Sequence, residues 1–326
     1  MIVPDYWAEA RKQHKAAGKQ VTVRRFGWSE ESVADALANA EARADEALRR
    51  IVAGDKLDKR EPKVPYNGAA GVPIREEVLA RQGEQVITRN AYGAHCLNSP
   101  NALFADIDFN PESSLKPAFL NFAFLALVAA ITGWVLRSWG ATFGLLFASL
   151  VGAAPLARLV VRLAIAARGG SERIAREKLV TFLARNPSWN VRLYRTPAGY
   201  RLLATHQPFQ AVSSEVQEFF AAVEADPIYV RMCANQQCFR ARLTAKPWRI
   251  GISAHMRPRP GVWPVRPERL AVRNEWLMAY EAKAASFSAC RYIESLGSGV
   301  VHASLQEVVE LHDRESRALL SETKLA

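Results

Sequence analysis

The sequence predicts an α+β fold: a ferredoxin-like βαββαβ sheet with a two-helix transmembrane hairpin inserted after its first strand, and helical segments at both ends. Three observations lead there. Short alternating strands and capped helices follow one another in the order β, α, β, β, α, β between residues 100 and 250. Two apolar runs interrupt that order at residues 117–167. The 326-residue chain is basic, with 43 Lys+Arg against 32 Asp+Glu, yet its mean hydropathy is only −0.08, so strong local extremes are being averaged. The organisation read from this is a mixed N-terminal region (1–99), a sheet domain (100–250) split by the apolar hairpin (117–167), and a Pro/Arg-rich arm with C-terminal helices (251–326).

The N-terminal region has Trp28-Ser29-Glu30-Glu31 at the start of an Ala-rich helix to about Val52, an N-cap followed by acids in the first turn. Val64 to Pro73 is a turn-rich loop and no phosphate loop, because no Gly-Lys-Ser/Thr follows it. Asn101 to Phe109, bounded by Pro100 and Pro111, is the first strand of the sheet. From Ala118 to Leu136 the side chains carry no charge. A second apolar run starts at Ala141 and continues to Ala167 with Arg158 and Arg162 in it. Each approaches the roughly 20 residues that cross a hydrocarbon core as helix. Lys116 before the pair and Arg158, Arg162, Arg168, Arg173 and Arg176 after it, against Arg137 in the turn, place both termini of a two-pass cell-membrane protein in the cytoplasm. The N-terminus has no cationic-then-apolar signal-peptide pattern.

After the hairpin, a helix from Ser171 to about Arg185 ends at Asn186-Pro187. Trp189–Thr196 and Tyr200–His206 alternate around Pro197-Ala198-Gly199 as a β-hairpin. A helix capped by Ser213 or Ser214 runs to about Ala225, and Cys238–Thr244 is the last strand. Beyond it, Lys246 to Pro267 interleaves Arg, Trp and Pro in an extended arm suited to bases, phosphates or lipid head groups. A helix is expected from about Pro267 to Leu296 and another from Ser304, with Glu307 completing a capping box. These terminal helices are candidates for a protein partner.

Charge localises the function. Residues 1–116 carry 17 basic and 17 acidic side chains; residues 117–170 carry four arginines and no acid. Residues 171–273 carry 17 basic and 7 acidic, and residues 274–326 carry 5 and 8. The surplus belongs to the central block, which suits phosphate-bearing partners or an anionic membrane surface. Four scattered cysteines, 96, 233, 238 and 290, form neither a disulfide scaffold nor a zinc pattern. Period two puts Phe104, Asp106 and Asp108 on one strand face, opposite Ala105 and Ile107. Arg192, Arg201, Arg240 and Arg242 fall on the same open face of their strands. Strand order 4-1-3-2 would centre the two aspartates among the arginines. Two carboxylates two residues apart can share Mg²⁺ or Mn²⁺, and arginines can hold phosphate by forked hydrogen bonds. The plainer alternative is that these acids and arginines pair with each other.

Phe104-Ala105-Asp106-Ile107-Asp108, the turn Arg195-Thr196-Pro197-Ala198-Gly199-Tyr200-Arg201, Asp226, and the basic stretch Phe239 to Lys246 together resemble the palm of the archaeo-eukaryotic primase superfamily. The resemblance implies an RRM-like sheet, with Asp106 and Asp108 as catalytic metal ligands. It also implies that Arg192, Arg201, Arg240, Arg242 and Lys246 hold nucleotide or nucleic-acid phosphates. The chain differs in having Arg201 where that family has a histidine. The function expected is a membrane-anchored cytoplasmic protein binding metal and nucleotide phosphates, with nucleotidyl or phosphoryl transfer if it is an enzyme. The alternative is a non-catalytic membrane scaffold whose basic block binds anionic lipid or a protein partner.

Overall fold

The computed structural model describes residues 3–16, 19–61, 72–109, 115–258 and 263–326. Most of the turn-rich loop at 64–73 and residues 259–262 of the arm lie outside the described residues. The chain opens with an antiparallel hairpin, β1 (Tyr6–Ala16) and β2 (Lys19–Ser29). Helix α1 (Val33–Val52) lies on it and begins at Ser32, whose hydroxyl accepts the Asp35 N–H at 3.1 Å. Ala36, Ala40, Ala44 and Ala47 form its buried stripe at steps of three and four residues. These short side chains let the helix close on Gly27, where an added Cβ would stand 2.1 Å from the Ala40 nitrogen.

Two four-stranded antiparallel sheets follow. Strands β3 (Glu77–Gln82), β4 (Gln85–Arg89) and β5 (His95–Ser99) pair in sequence. β6 (Phe104–Asp108) precedes two apolar helices, α2 (Leu115–Val135) and α3 (Trp139–Ala167). Then come α4 (Ser171–Arg185), β7 (Asn190–Arg195), β8 (Gly199–Ala204), α5 (Ser214–Val223), α6 (Pro227–Gln236) and β9 (Phe239–Arg242). The chain closes with α7 (Leu270–Ala284), β10 (Phe287–Ser288), β11 (Arg291–Gly297), α8 (Ala303–Ser316) and β12 (Lys324–Leu325). The sheet orders are β11-β7-β8-β6 and β3-β4-β5-β9.

This corrects the expected ferredoxin-like sheet. The strand expected to flank β6, β9, belongs to the other sheet, and β11 takes the outer edge beside β7. The cause is α6, which the sequence reading did not contain. Its N-terminus gives the Asp226 N–H to the Asp106 carbonyl at 2.9 Å. Its Tyr229 hydroxyl donates to the Phe104 carbonyl at 3.1 Å and accepts the Arg240 N–H at 3.2 Å. The free edge of β6 is therefore satisfied by a helix and a bridging phenol, so β9 has no ladder to join. The expected open face is also covered. α4 and α5 pack Leu179, Leu183, Phe219 and Phe220 into the main core on one side. α8 covers the other, with the His312 ring 5.1 Å from Phe104 and 4.8 Å from Tyr194. The expected Pro267–Leu296 helix stops at Ala284, and its last third is strand β11. The apolar faces of α1 and α8 are taken up within the chain.

The two-span hairpin is corrected as well. α3, 29 residues and about 43 Å at 1.5 Å per residue, is long and apolar enough to cross a bilayer. It is the one such helix among the described residues; the described apolar part of α2, Phe119–Val135, is shorter, about 25 Å. α2 instead lies along α3, with the Asn121 amide donating to the Ala153 carbonyl at 2.9 Å.

β8 crosses β6 closely at Gly199, where a Cβ would meet the Ile107 carbonyl oxygen at 1.9 Å. Gly199→Ala should therefore force the two strands apart and cost about 1–3 kcal/mol. Thermal unfolding followed by tryptophan fluorescence reads this directly; an unchanged midpoint would refute the close approach.

Candidate phosphate cleft between the two sheets

Because β6 and β9 are held beside each other without pairing, a cleft of about 390 Å³ opens between them. Asp106, Asp108, Thr196, Ala198 and Arg201 line it from the β6–β8 side. Arg240, Arg242, Lys246 and Arg249 line it from β9 and the 3₁₀ turn at Pro247–Ile250 with its preceding residue. Ile228, Tyr229 and Met232 of α6, with Glu76, Asn90, Tyr92 and Cys96, complete the wall. Six of the seven residues expected to act together thus meet in one place. The seventh, Arg192, does not: its guanidinium bonds Asp313 of α8 and the Tyr194 hydroxyl, and sits 4.3 Å from the Tyr292 ring centre.

The two aspartates have different fates. Asp106 lies directly opposite Arg201 across the β6–β8 ladder. Its Oδ1 accepts from Arg201 Nε at 2.8 Å and its Oδ2 from Nη2 at 3.2 Å. Arg201 is 2% exposed, and its Nη1 donates to the Arg242 carbonyl at 2.8 Å. Burial works against this guanidinium's charge, but Asp106 outweighs it and raises the pKa. Asp108 has no hydrogen bond or ion pair among the described residues and is exposed at the cleft. Partial burial, then Asp226 and Asp106, push its carboxyl above the usual range, and Lys246 and Arg249 pull only partly back.

This donor set fits Mg²⁺ or Mn²⁺ poorly. Both Asp106 oxygens face a forked guanidinium, which leaves Asp108 alone of the expected pair. Among the described residues no group of three or more His, Cys, Asp and Glu is placed to hold a metal. Asp226, the third acidic position of the expected motif, caps α6 through Ile228 N–H at 2.9 Å.

The cations are the richer part. Arg240, 4% exposed, pairs with the equally buried Glu76, yet its Nη1 has no hydrogen-bond partner among the described residues. Arg249 Nη1 is likewise buried and unpartnered. Among the described residues Arg242, Lys246 and Arg249 have no carboxylate within ion-pair distance; Arg242 donates from Nη1 to the Thr244 carbonyl at 2.6 Å. Burial, then Arg242 and Arg249, depress the Lys246 ammonium pKa, and burial with Arg242 depresses that of Arg249. At the rim, Trp248 is 55% exposed, held edge to face by Tyr92 at 5.2 Å with Lys246 Nζ 5.5 Å from its ring centre. Tyr92 is half-buried, and loss of solvent around its phenol, with Cys96 nearby, pushes its pKa up to about 12.

Glu76, Asn90, Tyr92 and Arg249 line the cleft although the expected motif does not include them. The spacing of Arg240, Arg242, Lys246 and Arg249 was the available signal. His206, by contrast, packs on Trp189 and Phe209 and accepts the Asn190 N–H, away from the cleft. No family model matches the chain, and searches of curated proteins and of solved structures found no match.

Proposed function

We propose that the chain binds the phosphates of a nucleotide or nucleic acid in this cleft and is attached to a membrane through α3. The observation that carries the reading is the pair of buried guanidinium N–H groups of Arg240 and Arg249 that have no partner among the described residues, beside Arg242 and Lys246, which there have no ion pair. A buried donor without an acceptor costs about 1–3 kcal/mol, which an anionic oxygen recovers as charge-assisted hydrogen bonds. Trp248, exposed but fixed at the rim, adds a stacking surface suited to a base, about 1–3 kcal/mol. The membrane part rests on α3, whose Phe143, Phe147, Leu150 and Val151 are exposed with no protein to cover them among the described residues.

Calorimetric titration of the full chain in detergent micelles with adenosine triphosphate tests the cleft. Lys246→Gln/Arg249→Gln should weaken binding at least tenfold, and chelation with EDTA should leave the affinity of the unaltered protein intact. Equal binding by the double variant overturns the reading, and a strict requirement for Mg²⁺ would restore a metal held by Asp106 and Asp108.

A second reading, a scaffold bound to anionic lipid, is favoured by a separate observation. Arg158, Arg162 and Arg168 are exposed on the second half of α3 and at its end, in a segment (117–170) without one carboxylate. Each arginine near an anionic leaflet is worth about 1 kcal/mol. Flotation with vesicles of phosphatidylcholine, with and without phosphatidylserine, should show a serine-lipid preference that Arg158→Gln/Arg162→Gln removes. Equal flotation with both vesicle types refutes it.

A further inference from the structure

The charged groups of the cleft are not balanced, and the imbalance has a definite size. Arg240 is neutralised by Glu76 and Arg201 by Asp106. What remains among the lining residues is Arg242, Lys246 and Arg249 against Asp108, a surplus of two positive charges. Asp108 feels Lys246 and Arg249 electrostatically but forms an ion pair with neither. Opposite charges in one concave site that stay beyond contact leave a gap, and the strand and the 3₁₀ turn that carry them hold it open.

We propose that the cleft selects a phosphate monoester, a dianion at the end of its carrier, over a phosphodiester; this rests on the phosphate reading above. A monoester carries about −1.5 to −2 charges near neutrality, with its second ionisation close to pH 6. A diester carries one and would leave half the surplus unmatched. The cations of the β9 wall, with the Nη1 groups of Arg240 and Arg249 that have no partner among the described residues, supply donors for the three terminal oxygens of a monoester.

The test compares adenosine 5′-monophosphate with adenosine 3′,5′-cyclic monophosphate, which share base and sugar and differ in the ionisable phosphate oxygen. Titrated calorimetrically into the full chain in detergent at pH 7.5, the monoester should bind at least tenfold more tightly. Arg249→Gln, which lowers the surplus to one, should weaken the monoester more than the cyclic diester and shrink the ratio. Equal affinity for both ligands overturns this inference and leaves the phosphate cleft standing. Binding of neither overturns the phosphate reading itself. An unchanged ratio in Arg249→Gln refutes the charge-matching argument even if the monoester is preferred.

Discussion

Glu76→Ala is expected to lower the free energy of unfolding by about 3–5 kcal/mol, the cost of leaving a buried charge uncompensated. Glu76 is 2% exposed, accepts from Arg240 and from the Thr88 hydroxyl at 2.7 Å, and lies 164 residues from Arg240 in sequence. Burial alone would lower the Arg240 pKa, yet neighbouring Cys96 and Glu76 outweigh it and raise the value, so the guanidinium keeps its charge. Removing the acid leaves a 4%-exposed guanidinium that already has one unpartnered nitrogen. The double replacement Glu76→Leu/Arg240→Met should regain most of the loss, because two apolar groups need no partner. It should also abolish ligand binding, since Arg240 lines the cleft. Thermal or denaturant unfolding in detergent measures the first two effects. A Glu76→Ala protein as stable as the parent would show that the pair is not buried as described.

The parts of this arrangement that could be read from sequence are those set by local rules. Asp106 and Arg201 face each other because β6 alternates apolar and acidic residues and pairs with β8 in the register that sets Asp106 opposite Arg201. The basic spacing from Arg240 to Arg249 is likewise visible in the chain. The parts that escaped depend on tertiary context. β4 is buried at all five positions, so it shows no period-two pattern. β1 alternates charges with alanines in a two-stranded hairpin, which does not read as strand. α6 starts at Pro227, which also fits a helix stop, and β11 is polar enough to continue a helix. α6 has the widest consequence: without its Tyr229 between the sheets, the local pattern sets β9 beside β6 and turns the cleft into an open face. The placement of Arg192 failed for the same kind of reason, since nothing local announces that α8 will cover its strand with Asp313.

Asp313→Asn should destabilise the protein by about 2–3 kcal/mol at neutral pH, the scale for losing hydrogen bonds to a buried charge. Asp313 is 7% exposed and accepts from the Tyr194 hydroxyl at 2.7 Å and from Arg192, with His312 Nδ1 at 3.3 Å. Around it stand His312, Tyr194 and Arg192, with Tyr292 against Arg192; Cys290 and Arg201 act on the far side of His312. Burial alone would raise its carboxyl pKa, but His312, Tyr194 and Arg192 outweigh it and lower the value. A depressed carboxyl contributes stability that is present above its unfolded pKa near 3.9 and is lost as pH falls through the lower folded value. The gap between parent and Asp313→Asn should therefore be constant from about pH 5 to 6 and close below about pH 4. His312 has the opposite sign. Its pKa is raised against burial by Cys290 and Asp313, so its contribution is complete below about pH 6.5 and fades as pH rises through the folded value. His312→Gln should accordingly lie further below the parent at pH 5.5 than at pH 9. Unfolding midpoints of both variants across pH decide the matter, and a His312→Gln deficit that grows with rising pH would reverse the assignment of its charge.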